Sequence, residues 1–213
     1  MNQWMDKFKK MGALWIHDEN PERPHALLTS GKHSNGYFNG SKVIKNPRVL
    51  AEACHDLLQI SHAAQFTPRS VFGSAMGAVT IAHELARQMG IELGFTEPVE
   101  TREQLDITRK HMVLKRFSVV QNEKVIVAED VMTTGGTTRK TIETLTKTGA
   151  DVLGFILVLV NRSGQESLDG RRIIALIDHP MPFWEAEECP LCAQGSEAIR
   201  PKGRESWQEL TAQ

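Results

Sequence analysis

Short apolar runs alternate with amphipathic stretches through the middle of the chain. Four of these runs have the length and the aliphatic or aromatic content of buried strands: residues 70–74, 124–129, 152–160 and 172–178. Between and before them, apolar residues recur every three or four positions, which predicts helices near 49–58, 77–89 and 136–148. Such alternation predicts an α/β fold with a central, mostly parallel sheet flanked by helices.

The two ends of the chain have a different pattern. Residues 4–15 place apolar side chains on one side of an amphipathic helix, whereas residues 17–41 are polar and rich in Gly, Asn and Pro. Strands are also expected at 91–96 and, at a sheet edge, at 112–119. We predict one domain over residues 1–213. Its core covers about 46–178, and a small hood lobe is formed by about 18–45 and 179–203.

Composition and charge narrow the functional classes. The 213 residues include 25 basic and 26 acidic side chains, so the formal charge of -1 lacks the basic field of a general nucleic-acid binder. The N-terminal residues lack the apolar core of a signal peptide, and the sequence has no apolar run long enough to span a membrane. Three cysteines do not make a disulfide framework. We expect a cytoplasmic protein without nucleic-acid or membrane partners.

Two acids and a turn rich in threonine and glycine follow the apolar run at residues 124–129, in "VIVAEDVMTTGGTT". The carboxylates of Glu129 and Asp130 can accept hydrogen bonds from neighbouring sugar hydroxyls. Glycines allow close approach of the backbone, and hydroxyls and helix-start N–H groups bind phosphate. The phosphate cradle would consist of Thr133, Thr134, Gly135, Gly136, Thr137 and Thr138. The pattern predicts a ribose 5-phosphate site, and the alternative is a capped turn beside a surface acid pair.

The same segment resembles the phosphoribosyl pyrophosphate signature of type I phosphoribosyltransferases. Three further segments are similar to orotate phosphoribosyltransferases: "LTSGKHSNGYFN", "VFGSAMGAVTIAHELARQMG" and "EECPLCAQGSEAIRPKG". The resemblance covers about residues 27–203 and implies the Rossmann-like type I fold. It also implies transfer of the 5-phosphoribosyl group from phosphoribosyl pyrophosphate to orotate, with Mg²⁺ carried by phosphoribosyl pyrophosphate. The family also implies a homodimer.

The resemblance assigns roles to individual residues. Glu129 and Asp130 would hold the ribose, and the cradle its 5-phosphate. The pyrophosphate would meet backbone groups of Ser74, Ala75, Met76 and Gly77, a stretch that is otherwise a simple strand-to-helix turn. The orotate anion and its flat ring would meet Lys32, Tyr37, Phe38 and Arg162. Without the resemblance, Lys32 is a solvated loop lysine and Tyr37-Phe38 an edge-strand pair.

The segment 97–111 departs from the family pattern. In the family this is a basic catalytic loop that reaches the neighbouring subunit's site, but here it contains Pro98 and mixed charges. The candidates to neutralise the leaving group are Arg109, Lys110, Lys115 and Arg116. Two alternatives therefore stay open. One is a regulator that binds phosphoribosyl pyrophosphate or a nucleotide without turnover, and the other is a transferase for a purine or another base.

Cys189 and Cys192 have the C-x-x-C spacing of half a zinc site. A four-ligand site needs two more donors, and His179 and Cys54 are the obvious ones. His33 is expected to be a loop residue without a chemical role. The sequence prediction is therefore that the protein itself holds no metal.

Overall fold

The computed structural model describes residues 3–28, 30–99, 111–201 and 204–211. The chain divides into two compact units: unit 1 comprises Met1–Lys42 and Pro180–Gln213, and unit 2 comprises Val43–His179. The helices are α1 (Gln3–Lys10), α2 (Ser41–Ile44), α3 (Pro47–Ser61), α4 (Val79–Met89), α5 (Gly136–Lys147), α6 (Pro190–Ala193) and α7 (Arg204–Thr211). The strands are β1 (Leu14–Ile16), β2 (His25–Leu27), β3 (His33–Ser34), β4 (Gly36–Phe38), β5 (Ser70–Ser74), β6 (Glu92–Val99), β7 (His111–Val113), β8 (Lys124–Met132), β9 (Asp151–Asn161), β10 (Ser167–Leu168), β11 (Arg171–Asp178), β12 (Phe183–Trp184) and β13 (Ala198–Ile199).

Unit 2 is built on a seven-stranded sheet with the order β10-β11-β9-β8-β5-β6-β7. The five inner strands are parallel to one another, and only the edge strands β7 and β10 are antiparallel to the strands beside them. Helices α3 and α4 pack on each other and on this sheet, and α5 packs on β5, β7, β8 and β9. The predicted mostly parallel α/β sheet with flanking helices is confirmed.

The strand order contains a point where the direction of winding reverses. The chain runs from β5 outward to β6, and then returns to place β8 on the other side of β5 before continuing outward to β9 and β11. In open parallel sheets, the carboxyl ends of the two strands at such a reversal border a crevice that binds ligands. Residues 74–77 begin at the end of β5, and the acid pair lies near the end of β8.

Side-chain alternation explains how β8 is covered. Val125 and Val127 belong to a buried cluster with Ile142 and Leu145 of α5, while the intervening Ile126 is equally buried. Because successive side chains of a strand point to opposite faces, this continuous burial requires cover on both faces of the sheet.

Unit 1 contains a four-stranded sheet, β12-β3-β2-β13, and the two-stranded pair β1-β4. Trp4 and Phe8 are the buried side of α1, which ends at Lys10 rather than continuing to residue 15 as predicted. Gly12 follows with a φ of 64°, and β1 then begins at Leu14. Among the described residues, no helix has the length and apolar character needed to cross a membrane.

Candidate active site

Glu129 lies near the carboxyl end of β8, which extends to Met132, three residues beyond the predicted end. Its side chain is buried, and its Oε2 accepts a hydrogen bond of 2.8 Å from Thr138 Oγ1. Its other oxygen, Oε1, accepts from the Asp130 backbone N–H at 3.3 Å. Burial and the neighbouring Asp130 charge raise the pKa of Glu129 to about 8. Both Glu129 oxygens therefore have partners within the protein, and the contact with Thr138 ties β8 to the first turn of α5.

Asp130 is the more accessible of the two acids and lies against the turn after β5. A Cβ atom added to Gly77 would lie 2.7 Å from Asp130 Cγ, which is closer than real Cβ contacts. One carboxylate oxygen, Oδ1, accepts from the Val131 N–H at 2.8 Å, and Oδ2 lies against Gly77. The structure therefore brings the predicted ribose-binding acid and the predicted pyrophosphate turn into contact, and the absence of a side chain at Gly77 makes this approach possible.

The turn at residues 74–77 connects β5 to α4. The Ala75 N–H donates to Thr96 O at 2.8 Å, so this amide is used within the protein. The Ala75–Met76 peptide bond is cis, and the Met76 side chain is 83% exposed. Of the predicted pyrophosphate contacts, the backbone groups of Met76 and Gly77 are thus better candidates than the Ala75 amide.

The first residue of this turn, Ser74, belongs to a chain of three buried hydroxyls in contact with one another. Thr141 Oγ1 of α5 lies 3.1 Å from Ser74 Oγ and 2.7 Å from Thr96 Oγ1. All three side chains are buried, so their hydroxyls need one another as hydrogen-bond partners. The Ser74 side chain is therefore structural, and sequence reasoning missed Thr96 and Thr141 because nothing in their local pattern marks them.

The predicted phosphate cradle, residues 133–138, forms the turn between β8 and α5. Gly135 is the N-cap of α5 with a φ of 73°, and it offers no side-chain oxygen to the first helical amides. Such amides favour an anion at the helix start. Thr137 is exposed and Thr133 and Thr134 are partly exposed, whereas Thr138 is buried against Glu129. Three of the four cradle hydroxyls can thus meet a phosphate, and the fourth orients the acid.

The predicted cations of unit 2 lie in different environments. Arg162 follows β9, donates its backbone N–H to Met132 O at 3.0 Å, and is 2% exposed. Lys115 and Arg116 follow β7 and are exposed, and Arg116 Nε lies 3.2 Å from the Glu97 carboxylate. Arg109 and Lys110 lie outside the described residues.

The residues predicted to hold orotate on the N-terminal side belong to unit 1. Lys32 Nζ lies 2.7 Å from Glu185 Oε1 and 5.2 Å from the centre of the Phe183 ring. The Tyr37 ring packs 5.8 Å from Trp207. Phe38 is 5% exposed, and its ring centre lies 5.3 Å from that of Phe8. We therefore keep Lys32 and Tyr37 as candidate ligand contacts and assign Phe38 to the packing of unit 1.

A second group of polar side chains in unit 1 joins the predicted cysteine pair to two histidines that the sequence did not single out. His25, His33, Cys189 and Cys192 each offer one donor atom, and these four atoms lie within 4.8 Å of one another. The structure thus places His25 and His33 beside the two cysteines instead of His179 and Cys54, the donors suggested by the sequence. His33 lies in β3 and is a buried member of this group, rather than a loop residue as predicted. No local pattern connects histidines at 25 and 33 with cysteines more than 150 residues later.

Comparison with known proteins agrees with this geometry. The phosphoribosyl transferase domain family matches residues 40–186, more than half of the chain. The chain belongs to the phosphoribosyltransferase family. Within this family of phosphoribosyltransferases, it is 35% identical to the orotate phosphoribosyltransferase of Desulforamulus reducens, over 94% of this chain and 96% of that protein. It is 34% identical to the orotate phosphoribosyltransferase of Chlorobium phaeobacteroides, over 98% and 100% of the two chains.

A solved structure also resembles this phosphoribosyltransferase. The orotate phosphoribosyltransferase from Aeropyrum pernix matches with a TM-score of 0.61 and 26% identity, covering 81% of this chain and 92% of that one. The relatives thus match both the sequence and the α/β fold across most of the chain.

Proposed function

We propose that this protein transfers the 5-phosphoribosyl group from phosphoribosyl pyrophosphate to orotate, giving orotidine 5'-monophosphate and pyrophosphate. The observation that carries the proposal is the contact between Asp130 and Gly77 at the reversal of strand order. This contact brings an acid suited to ribose hydroxyls, which precedes the proposed phosphate cradle, against the proposed pyrophosphate turn. The choice of orotate rests on the similarity to orotate phosphoribosyltransferases along nearly the whole chain.

The reaction needs positioning and charge stabilisation more than a protein nucleophile. The bond from C1' of the ribose to the pyrophosphate oxygen breaks while a ring nitrogen of orotate bonds to C1'. Pyrophosphate leaves with the electron pair, and the ring nitrogen gives up its proton to solvent or to the leaving pyrophosphate. Asp130 would fix the ribose through its hydroxyls, and the cradle would fix the 5-phosphate. The exposed cations Lys115 and Arg116, together with Arg109 and Lys110, would balance the charge of the leaving group.

Mg²⁺ enters this proposal as part of the substrate. A doubly charged cation on the pyrophosphate neutralises the charge that develops as the C1' bond breaks. The Asp130 carboxylate beside Gly77 supplies the hard oxygen donors that suit Mg²⁺ or its bound waters. Because the metal arrives with phosphoribosyl pyrophosphate, the proposal requires no separate protein site for it.

The orotate side of the site is proposed to use two cations. Orotate is a planar anion, and Lys32 and Arg162 are the residues that the family resemblance assigns to its charged groups, with the Tyr37 ring as a flat contact. Lys32 already holds one carboxylate, that of Glu185, at 2.7 Å. A substrate carboxylate could replace it there.

The resemblance also supplies the proposed cellular setting. We infer a cytoplasmic homodimer in which the 97–111 segment of one subunit lies near the neighbouring subunit's site. Pyrimidine nucleotide synthesis is the role that this reaction would serve.

A panel of bases tests the proposed reaction. Purified protein with Mg²⁺ and phosphoribosyl pyrophosphate is incubated separately with orotate, adenine, guanine, hypoxanthine and uracil, and pyrophosphate release is measured. We expect pyrophosphate release with orotate and with none of the other four bases. Release with another base would assign a different substrate. Binding of phosphoribosyl pyrophosphate without release for any base would make the protein a regulator, and either result would overturn the proposal.

A further inference from the structure

Two histidines and two cysteines of unit 1 converge on one point. His25 and His33 lie on β2 and β3, which pair antiparallel with Leu27 opposite His33. Side chains two residues apart share a face of a strand, so His25 and His33 are diagonal neighbours on the same face of this pair. Cys189 is the N-cap of α6 and Cys192 lies within this helix. Residues three apart point to the same side of a helical turn, so both thiols face the histidines.

Hydrogen bonding to Ser196 determines which nitrogen of the His25 ring carries the hydrogen. Ser196 Oγ lies 2.6 Å from the Arg23 carbonyl oxygen, which can only accept, so the serine donates its hydrogen there. His25 Nδ1 lies 2.8 Å from the same Oγ and must therefore donate to it. The hydrogen of the neutral ring is thus on Nδ1, and the lone pair of Nε2 points at the other three side chains. An outer hydrogen bond of this kind is typical of metal-bound histidine.

Hydrogen bonds alone do not account for the convergence. His25 Nε2 has His33 Nδ1 at 3.0 Å and the sulfurs of Cys189 and Cys192 both at 3.5 Å. His33 Nδ1 is also 3.2 Å from Cys192 Sγ. A single nitrogen lone pair can accept one good hydrogen bond, not three. Four electron-pair donors that face one another, three of them buried, instead need a shared electrophile.

Four of the six separations among these atoms fit the edges of a tetrahedral zinc site, and all six are within 4.8 Å. With Zn–N bonds of about 2.05 Å and Zn–S bonds of about 2.3 Å, a tetrahedron has N–N edges of about 3.3 Å and N–S edges of about 3.5 Å. The four distances given above range from 3.0 to 3.5 Å, close to these edges. Two thiolates with two imidazoles form a set that selects zinc over magnesium or calcium, whose ligands are oxygens.

We propose that His25 Nε2, His33 Nδ1, Cys189 Sγ and Cys192 Sγ bind one structural zinc ion. All four positions are filled by protein, so the site has no open position for catalysis. His25 and Cys189 are buried, whereas Cys192 lies at the exposed edge, where an ion can enter. The ion ties the β2–β3 pair to the C-terminal segment 189–196. The inference is independent of the proposed reaction.

Metal analysis of the purified full-length protein tests the site. After growth with added zinc and dialysis against metal-free buffer, we expect about one zinc per chain by inductively coupled plasma mass spectrometry. The double substitution Cys189→Ser with Cys192→Ser should lose this zinc, as should His33→Ala. The matched controls Cys54→Ala and His179→Ala remove the same side-chain types outside the group, and they should keep it.

A second measurement does not depend on the variants folding. Titration of the wild-type thiols with a mercurial reagent should release the zinc as Cys189 and Cys192 react, and Co²⁺ in its place should show the visible absorption of a tetrahedral thiolate site. Three results would each overturn the proposal. The first is wild-type protein that has free thiols and contains no zinc, and the second is a Cys189–Cys192 disulfide found by peptide mass spectrometry. The third is zinc retained in the double serine variant.

Discussion

At the scale of single residues, the two adjacent acids have different surroundings. Both Glu129 oxygens accept hydrogen bonds from the protein, whereas Asp130 Oδ2 lies beside Gly77, where the strand order reverses. Two carboxylates after an apolar run would be costly to bury without partners, so the sequence predicts that the acid pair belongs to a binding site. It does not distinguish the two, because the partner Thr138 is nine positions away and becomes a neighbour only when α5 folds back.

Asp130→Asn should reduce kcat/KM for phosphoribosyl pyrophosphate about 100-fold, because a charged hydrogen-bond acceptor for the ribose is lost. The melting temperature should change by only a few degrees, since Asp130 is partly exposed. Steady-state kinetics and thermal melts measure both quantities. Asp151→Asn, an exposed acid at the opposite end of the same sheet, is the control and should keep wild-type activity. Full activity of the Asp130 variant would remove its assigned role.

Glu129 should make the ligand-free protein less stable as pH rises. Burial and Asp130 raise its pKa from 4.5 to about 8. The folded state therefore holds a proton that the unfolded state has lost, so the stabilising contribution is complete below pH 4.5 and is lost as pH rises through 8. The glutamine of Glu129→Gln cannot ionise. Between about pH 6 and pH 9, the free energy of unfolding of the wild type should therefore fall by more than about 1 kcal/mol relative to that of the variant.

Urea unfolding of both proteins at the two pH values measures this difference. Thr137→Val, an exposed hydroxyl in the same turn, should follow the wild-type pH dependence. If the free energies of the wild type and Glu129→Gln change in parallel with pH, Glu129 is not the group responsible.

At the scale of elements, the turn from β8 into α5 depends on one glycine more than on its neighbour. Gly135 has a φ of 73°, and a Cβ there would lie 2.7 Å from Leu168 Cδ1. At Gly136, an added Cβ would meet only Thr134 Oγ1, at 3.6 Å. The sequence shows two equivalent glycines, because backbone angles and the position of β10 are properties of the folded chain.

Gly135→Ala should lower the free energy of unfolding by about 1–2 kcal/mol, since alanine is strained at positive φ and its methyl group would press on Leu168. Gly136→Ala should be neutral or stabilising by up to about 1 kcal/mol, because alanine favours the helix. Chemical denaturation of the two variants, without ligand, provides the comparison. Equal stability of the two alanine variants would contradict the geometry of this turn.

The elements that the sequence predicts are those with several buried side chains. The run at 70–74 matches β5 and the helix expected at 136–148 is α5, because continuous burial and helical periodicity are both strong there. The strand expected at 112–119 is reduced to the three residues of β7. Strands β3, β10, β12 and β13 have two residues each, which is too short for any periodicity, and tertiary pairing alone defines them.

At the scale of the whole molecule, strand order converts separate sequence motifs into a site. Parallel strands place all their carboxyl ends at one edge, and the order β6-β5-β8-β9 brings two of the predicted motifs together there. The alternation of strands and helices predicts the sheet but not its strand order. The predicted contacts of Lys32 and Tyr37 belong to unit 1, and their role in binding stays a prediction.

Binding of phosphoribosyl pyrophosphate should stabilise the folded chain. At a ligand concentration of about 100 times Kd, with Mg²⁺ present, the free energy of unfolding should rise by about 2.7 kcal/mol. At the same concentration, Asp130→Asn should gain clearly less, because its affinity is lower. Denaturation with and without ligand measures both gains, and an equal gain in the two proteins would place the ligand away from Asp130.

The most direct test of the account follows orotate itself. Purified protein, Mg²⁺, phosphoribosyl pyrophosphate and orotate are mixed, and the loss of orotate absorbance is recorded together with pyrophosphate release. We predict that both proceed at the same rate, one pyrophosphate for each orotate consumed, and that orotidine 5'-monophosphate is the product. Orotate that stays unchanged while phosphoribosyl pyrophosphate is bound would contradict the account.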